Sequence, residues 1–191
     1  MKVCVFGAAS AHIDKKYIEA AEKLGGALAE KGHTLVFGAG GTGLMGAVAR
    51  GAKAKKGYVH GIVPEFFEKE GFDTPFFAAD KVTLTTDIAE RKKEMVEQSD
   101  AFVILPGGIG TLEEFFEVLT LKMFERHNKT VVVYNTGGYY DDLKKFILKA
   151  CEENFVTVDK GELYLTADDA DEVVKLLESG PNDPDKHRKK H

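Results

Sequence analysis

Residues 105–114 read Leu105-Pro106-Gly107-Gly108-Ile109-Gly110-Thr111-Leu112-Glu113-Glu114, with three glycines and two adjacent carboxylates between two different apolar patterns. Residues 101–105 form a short apolar run typical of a buried strand, and residues 112–124 have the apolar spacing of an amphipathic helix. Glycines between a strand and a helix let the backbone turn its N–H groups toward one point, where the helix dipole adds positive partial charge. The stretch therefore predicts a site for a phosphate or carboxylate group with acidic side chains beside it.

The same alternation of strand and helix continues in both directions along the chain. Apolar runs predict strands at residues 3–7, 34–37, 58–63, 81–85, 101–105, 130–134 and 163–166. Helical spacing falls between them, at residues 14–31, 44–55, 87–98, 112–124, 140–154 and 168–178. Continuous apolar strands separated by helices indicate a parallel sheet covered on both faces. We expect one Rossmann-like, doubly wound α/β domain over residues 1–178, with a mostly parallel sheet of about seven strands, and a flexible charged tail over residues 179–191.

Composition excludes several classes of protein. A chain of 191 residues with 43% hydrophobic and 30% charged residues is typical of a soluble globular domain. A net charge of −5 argues against a nucleic-acid partner. Without a signal pattern or an apolar run of about 20 residues, we expect a cytoplasmic protein that does not bind a membrane. Cys4 and Cys151 are too few for a disulfide framework or a zinc site, and both are expected to be buried thiols.

A second glycine loop occupies residues 37–46 and includes a G-x-G-x-x-G pattern that starts at Gly38. Its place between a strand and a helix is the context of a dinucleotide-binding fingerprint. Contact with a phosphate or nucleotide, NAD binding and close packing of helix on sheet are all compatible with this pattern. A dehydrogenase would also need an acidic residue at the end of the next strand, where Glu65 follows Pro64.

The acidic residues at the start of the predicted helix also allow two interpretations. Thr111 and Glu114 have the spacing of a capping box, in which both side chains would satisfy free backbone N–H groups. Alternatively, Glu113 and Glu114 belong to a catalytic site, together with Arg91 and Lys92 of the preceding predicted helix. In a doubly wound sheet these residues can converge beyond the carboxyl ends of the strands, whereas in isolation Arg91 and Lys92 would be a solvated helix face.

The motifs in combination resemble those of one protein family. Residues 106–114 resemble the PGGxGTxxE signature of the Lonely-Guy (LOG) family, whose members have also been labelled lysine decarboxylase-like. Residues 90–92 resemble the ERK segment of that family, residues 37–46 resemble its first glycine loop, and residues 135–140 match a further segment. Similar order and spacing extend from about residue 3 to residue 178, which is nearly the whole chain.

The resemblance implies an activity and a set of site residues. Members of this family hydrolyse nucleoside 5′-monophosphates, especially cytokinin ribotides, to a free base and ribose 5-phosphate, with no metal or organic cofactor and usually as homodimers. By the family motif, Arg91 and Glu114 take the catalytic positions. The substrate-binding positions implied or expected are Ser10, Gly40, Gly41, Thr42, Lys92, Gly107, Gly108, Gly110, Thr111 and Glu113.

The sequence departs from the family pattern in the expected ligand shell. Ala8-Ala9-Ser10 stands where the family often has Gly-Ser-Ser, which leaves Ser10 as the hydroxyl donor of that turn. Ile88-Ala89 replaces a frequent Met-His, and Leu121 lies near the place of a common Trp. These differences bear on the preferred base, which is left open among adenine, prenylated adenine and other purines. The alternative function is a non-catalytic nucleotide or cofactor carrier on the same fold.

Overall fold

The computed structural model describes residues 1–70, 78–156 and 163–180, so the predicted tail beyond Gly180 lies outside the described residues. The strands are β1 (Lys2–Phe6), β2 (Thr34–Phe37), β3 (Val59–Pro64), β4 (Lys81–Thr85), β5 (Ala101–Ile104), β6 (Thr130–Tyr134) and β7 (Leu165–Ala167). The helices are α1 (Lys15–Glu30), α2 (Gly43–Ala54), α3 (Glu65–Glu70), α4 (Ile88–Glu97), α5 (Ile109–Met123), α6 (Asp141–Glu152) and α7 (Ala170–Glu178), with a 3₁₀ turn at Thr136–Gly138.

All seven strands form one parallel sheet, in the order β4-β3-β2-β1-β5-β6-β7. The chain moves outward from β1 to β4 and then returns to the other side of β1 with β5. The strand order therefore reverses between β1 and β5, which is where doubly wound folds leave a crevice at the carboxyl ends of the strands. The predicted fold class and strand number are confirmed.

Alternate residues of the strands pack into two separate cores. Val3 and Val5 of β1 point to the core under α1, α2 and α7, whereas Cys4 and Phe6 point to the core under α4, α5 and α6. Continuous apolar strands are explained by this arrangement, because both faces of every central strand are covered. Cys4 is buried as expected, while Cys151 is half-buried, and neither forms a disulfide bond.

Helices α1 and α2 touch through their backbones. A Cβ atom at Gly25 would lie 1.9 Å from the carbonyl oxygen of Val48, and one at Gly51 would lie 2.0 Å from that of Glu22. Neither position has room for a larger residue without separating the helices. This close contact fixes the position of α2, and with it one side of the crevice.

Three local expectations need correction. Strand β7 begins at Leu165 instead of residue 163, and the short helix α3 follows β3 where no helix was predicted. Helix α5 begins at Ile109, with Gly108 as its N-cap in an extended conformation (φ −95°, ψ −151°). Thr111 is therefore the third helical residue, and of the two interpretations of Thr111 and Glu114 the capping box is wrong. Within the described part of the chain, no helix has the length and apolarity needed to span a bilayer.

Candidate active site

A cavity of about 390 Å³ opens where β1, β2 and β5 end. Its lining comes from the loops after these three strands and from the helices beside them. The lining residues are Val5, Phe6, Gly7, Ala8, Ala9, Ser10, Gly38, Gly40, Met45, Phe67, Arg91, Met95, Gly108, Gly110, Thr111 and Glu114. Both glycine loops therefore reach the same cavity, as parallel strands on either side of β1 require.

The turn after β5 presents a helix N-terminus to this cavity. The first intrahelical bond of α5 runs from the N–H of Leu112 to the carbonyl of Gly108 (3.0 Å), so the preceding N–H groups have no acceptor within the helix. Thr111 packs against the turn, because a Cβ atom at Gly107 would lie 2.1 Å from its Oγ1 atom. Gly107 is thus required by close packing, and the free N–H groups of Gly108 and Gly110 belong to cavity-lining residues.

Arg91 of α4 connects the cavity wall to the helix of the glycine motif. Its Nε atom donates to the carbonyl of Ile62 (3.2 Å), and its Nη1 atom donates to Oε1 of Glu114 (3.3 Å). The guanidinium also lies against Gly38, where a Cβ atom would be 2.0 Å from Nη2. The ring of Phe67 lies 6.0 Å from the guanidinium carbon. Arg91 is therefore held in one orientation by contacts from β3, α5 and the first glycine loop.

Glu114 is a buried carboxyl group with an altered acidity. Its side chain is 13% exposed and that of Arg91 is 15% exposed. Burial raises the pKa of Glu114 to about 7; the positive charge of Arg91 opposes this rise and the negative charge of Glu113 adds to it. At neutral pH Glu114 can therefore both accept and release a proton, which is the property required of a general acid or base.

A side-chain cap begins α4 one turn before Arg91. Asp87 accepts from the N–H of Glu90 (2.7 Å), and Glu90 accepts from the N–H of Thr86 (2.6 Å). A similar exchange of bonds was one of the two interpretations of Thr111 and Glu114 on α5. One turn further, Lys92 pairs with Glu113 (2.5 Å) and Glu117 (3.1 Å), so that α4 and α5 are joined outside the cavity.

The first glycine loop packs mainly on the turn after β1. Thr42 donates its hydroxyl to the carbonyl of Ala9 (2.6 Å), and the N–H of Leu44 donates to the carbonyl of Ala8 (2.8 Å). Gly43 has a left-handed conformation (φ +55°), and a Cβ atom there would lie 2.6 Å from the Ala8 oxygen. In a dinucleotide fingerprint the N–H groups at this helix start face a pyrophosphate, whereas that of Leu44 is already occupied.

The predicted site residues divide into two groups. The cavity brings together Arg91, Glu114, Ser10, Gly40, Gly108, Gly110 and Thr111. The residues outside its lining are Gly41, Thr42, Lys92, Gly107 and Glu113. Among the described residues, no group of three or more histidines, cysteines or carboxylates is arranged to hold a metal ion.

Sequence reasoning missed several residues of the wall, among them Gly38 and Phe67. Gly38 was treated only as the first glycine of a fingerprint, yet its missing side chain makes the space that Arg91 occupies. Phe67 lies on α3, and the sequence beside Pro64 carries no helical spacing that could have predicted this element. The carbonyl of Ile62 could not have been identified either, because every residue type has a backbone carbonyl and the sequence does not show which one accepts a bond.

Comparison with known proteins gives consistent similarities. A family model described as "Possible lysine decarboxylase" matches residues 45–177. The chain is 38% identical over 177 residues to the cytokinin riboside 5′-monophosphate phosphoribohydrolase LOG3 of Arabidopsis thaliana, a match that covers 93% of this chain and 81% of that protein. It is 39% identical over 178 residues to the probable cytokinin riboside 5′-monophosphate phosphoribohydrolase LOGL5 of Oryza sativa subsp. japonica, covering 93% and 71%. The molybdenum cofactor carrier protein of Chlamydomonas reinhardtii has the same fold, with a TM-score of 0.72 at 24% identity over 93% of this chain and 96% of that chain.

Proposed function

Since this chain belongs to the LOG family, we propose that it is a phosphoribohydrolase that cleaves the N-glycosidic bond of nucleoside 5′-monophosphates. The products would be a free purine base, adenine or a cytokinin, and ribose 5-phosphate. The observation that carries the proposal is the buried Glu114, whose pKa is about 7, bonded to Arg91 in the cavity that the glycine turn also lines.

The spacing along α5 supports a ribose 5-phosphate whose phosphate binds at the start of the helix and whose anomeric carbon lies near Glu114. Glu114 lies five residues beyond Ile109, and a helix rises 1.5 Å per residue, so about 7.5 Å separate the helix start from the level of Glu114. A ribose 5-phosphate has comparable length. The phosphate would bind at the N–H groups of Gly108 and Gly110 and the hydroxyl of Thr111, with Gly107 shaping the turn.

Glu114 would act at the anomeric carbon. Cleavage of the glycosidic bond builds positive charge on C1′ and O4′, and a nearby carboxylate both stabilises that charge and deprotonates the attacking water. Arg91 would orient Glu114, because a guanidinium keeps its proton at neutral pH. Gly38 and Gly40 of the first glycine loop would complete the binding shell. Glu113 and Lys92, which the family motif places in that shell, pair with each other outside the cavity lining.

The test is the Glu114→Gln variant. The amide keeps the size of the side chain but has no negative charge and cannot accept the water proton, so base release from AMP should fall by at least about 10²-fold while AMP still binds. Glu117→Gln, on the same helix and outside the cavity lining, should keep its turnover. Chromatography of the free base after incubation with AMP or a cytokinin ribotide measures both. Unchanged turnover in Glu114→Gln would remove this residue from the mechanism.

The alternative, a carrier without activity, predicts a different result in the same assay. Wild-type protein would then bind AMP with measurable affinity and release no base. Detectable base release that depends on Glu114 excludes this alternative.

A further inference from the structure

Two consecutive tyrosines bond to the back of the glycine turn. The hydroxyl of Tyr139 donates to the carbonyl of Gly107 (2.9 Å), and the hydroxyl of Tyr140 donates to the carbonyl of Leu105 (2.8 Å). Neither tyrosine lines the cavity. The two hydroxyls therefore bond to the turn from outside the cavity.

The bond from Tyr139 determines where one N–H group of the turn points. The C=O and N–H groups of a trans peptide point in opposite directions, and the described chain has no cis peptide bond. When the carbonyl of Gly107 is held by Tyr139, the N–H of Gly108 points away from Tyr139. Gly108 lines the cavity, so this is the side on which an anion would be bound.

The N–H of Thr111 also precedes the first bond within α5, which the N–H of Leu112 makes to the carbonyl of Gly108 (3.0 Å). Like the N–H groups of Gly108 and Gly110, it therefore has no acceptor within the helix.

Hydrogen bonds of Asn135 and two glycines fix the conformation of the segment that carries the tyrosines. The buried Asn135 accepts from the N–H of Tyr140 (2.8 Å) and donates to Asp141 (2.8 Å). Gly137 and Gly138 both have left-handed conformations, with φ of +63° and +72°, which glycine adopts without strain. The turn between β6 and α6 thus brings both hydroxyls to the β5 turn, which gives residues 135–140 a role that their sequence alone did not reveal.

We propose that Tyr139 is a positioning residue that orients the N–H group of Gly108 for the 5′-phosphate of the substrate, while Tyr140 fixes the residue before the turn through the carbonyl of Leu105. The inference rests on the proposed function for the location of the phosphate, but binding can be measured without turnover.

The test compares ligands with and without a phosphate group. In Tyr139→Phe, one hydrogen bond is lost on the protein side of the turn, so the dissociation constant for ribose 5-phosphate should rise about three- to tenfold by calorimetry. The Michaelis constant for AMP should rise by a similar factor with a smaller change in kcat. Binding of adenosine, which has no phosphate, should not change. Tyr140→Phe should have a smaller effect, because the carbonyl of Leu105 shares its peptide unit with Pro106, which has no N–H group.

Tyr164→Phe is the control, because it removes the hydroxyl of another buried tyrosine that does not bond to this turn. It should bind ribose 5-phosphate as the wild type does. The inference is overturned if Tyr139→Phe binds ribose 5-phosphate with wild-type affinity, or if adenosine binding weakens equally, since the effect would then be general. Wild-type protein that binds ribose 5-phosphate but releases no base would refute the proposed reaction and leave the role of the tyrosines measurable.

Discussion

Gly38 and Arg91 form a contact that depends on the absence of a side chain. The guanidinium of Arg91 fills the place of a Cβ atom at residue 38, and from there it reaches both Ile62 and Glu114. Nothing in the backbone conformation of Gly38 demands glycine, because its φ is not in the left-handed range. Glycine is therefore required at position 38 because it leaves space for the side chain of Arg91, and not because the turn needs its backbone freedom.

Gly38→Ala should consequently reduce activity more than stability. The added methyl group displaces the end of a flexible side chain, which the fold can tolerate, but it moves the partner of Glu114 by an ångström or more, and kcat/KM should fall about 10²-fold. The thermal unfolding midpoint should change little. Gly26→Ala on α1 is the control, since its Cβ atom would meet Lys55 at an ordinary 3.6 Å and should leave kcat/KM unchanged. Wild-type kcat/KM in Gly38→Ala would contradict the assigned role of Arg91.

The pKa of Glu114 predicts the pH dependence of the reaction. As a base it must be ionised, so kcat/KM should rise with pH through about 7 and be lost below it. The negative charge of Glu113 helps to raise this pKa, so Glu113→Gln should move the acidic limb of the profile to lower pH. Glu117→Gln removes the other partner of Lys92 and should leave the limb in place. A limb that stays fixed in Glu113→Gln would argue that another group titrates.

At the scale of elements, the cap of α4 links helix stability to the site. Asp87→Ala should lower the free energy of unfolding by about 1 kcal/mol. It should also lower kcat/KM, because Arg91 lies one turn beyond the cap and its N–H bonds to the carbonyl of Asp87 (3.1 Å). Asp169→Ala removes the same type of cap from α7, where Asp169 accepts from the N–H of Glu172 (2.8 Å).

The two cap variants should be compared by denaturant unfolding and by AMP hydrolysis at a temperature where both are folded. We expect equal losses of stability and a loss of activity only in Asp87→Ala. If the two variants had equal activity, the Asp87 cap would not be needed to hold Arg91 in position.

The elements that the sequence predicted correctly are those with a strong apolar pattern. Residues 101–105 were predicted as a strand and form β5 (Ala101–Ile104), all four residues of which are buried. The start of α5 was predicted wrongly because Thr111 and Glu114 have the same spacing as Asp87 and Glu90, and local spacing does not show where the preceding strand and turn end. Only the tertiary contact with Arg91 distinguishes the two glutamates.

At the scale of the whole molecule, strand order explains why separate motifs meet. β1 lies between β2 and β5, so the glycine loops after β2 and β5 flank the turn after β1. The sequence predicted that the motifs could converge, since all parallel strands end at one edge. It could not supply the order of the strands, because that depends on long-range pairing that leaves no local pattern.

A row of apolar side chains on the outside of α5 supports the homodimer that we expect from the family. Ile109, Phe116 and Met123 are spaced by seven residues and are 89%, 40% and 37% exposed, whereas Phe115 and Leu119 of the same helix belong to the core. Size-exclusion chromatography with light scattering should give twice the chain mass, and Phe116→Glu should give one chain mass. Phe146→Glu, at an exposed phenylalanine of α6, is the control and should remain dimeric.

The contact between α1 and α2 has a consequence for how ligand preference can diverge in this fold. Where two helices meet atom to atom through Gly25 and Gly51, neither can be shifted or resized, so the wall built on α2 is the same for every ligand. Another part of the wall includes Phe67 on the short helix α3, whose ring lies 6.0 Å from the guanidinium carbon of Arg91. Substrate preference can thus change through substitutions in one wall of the cavity, while the wall built on α2 keeps its position.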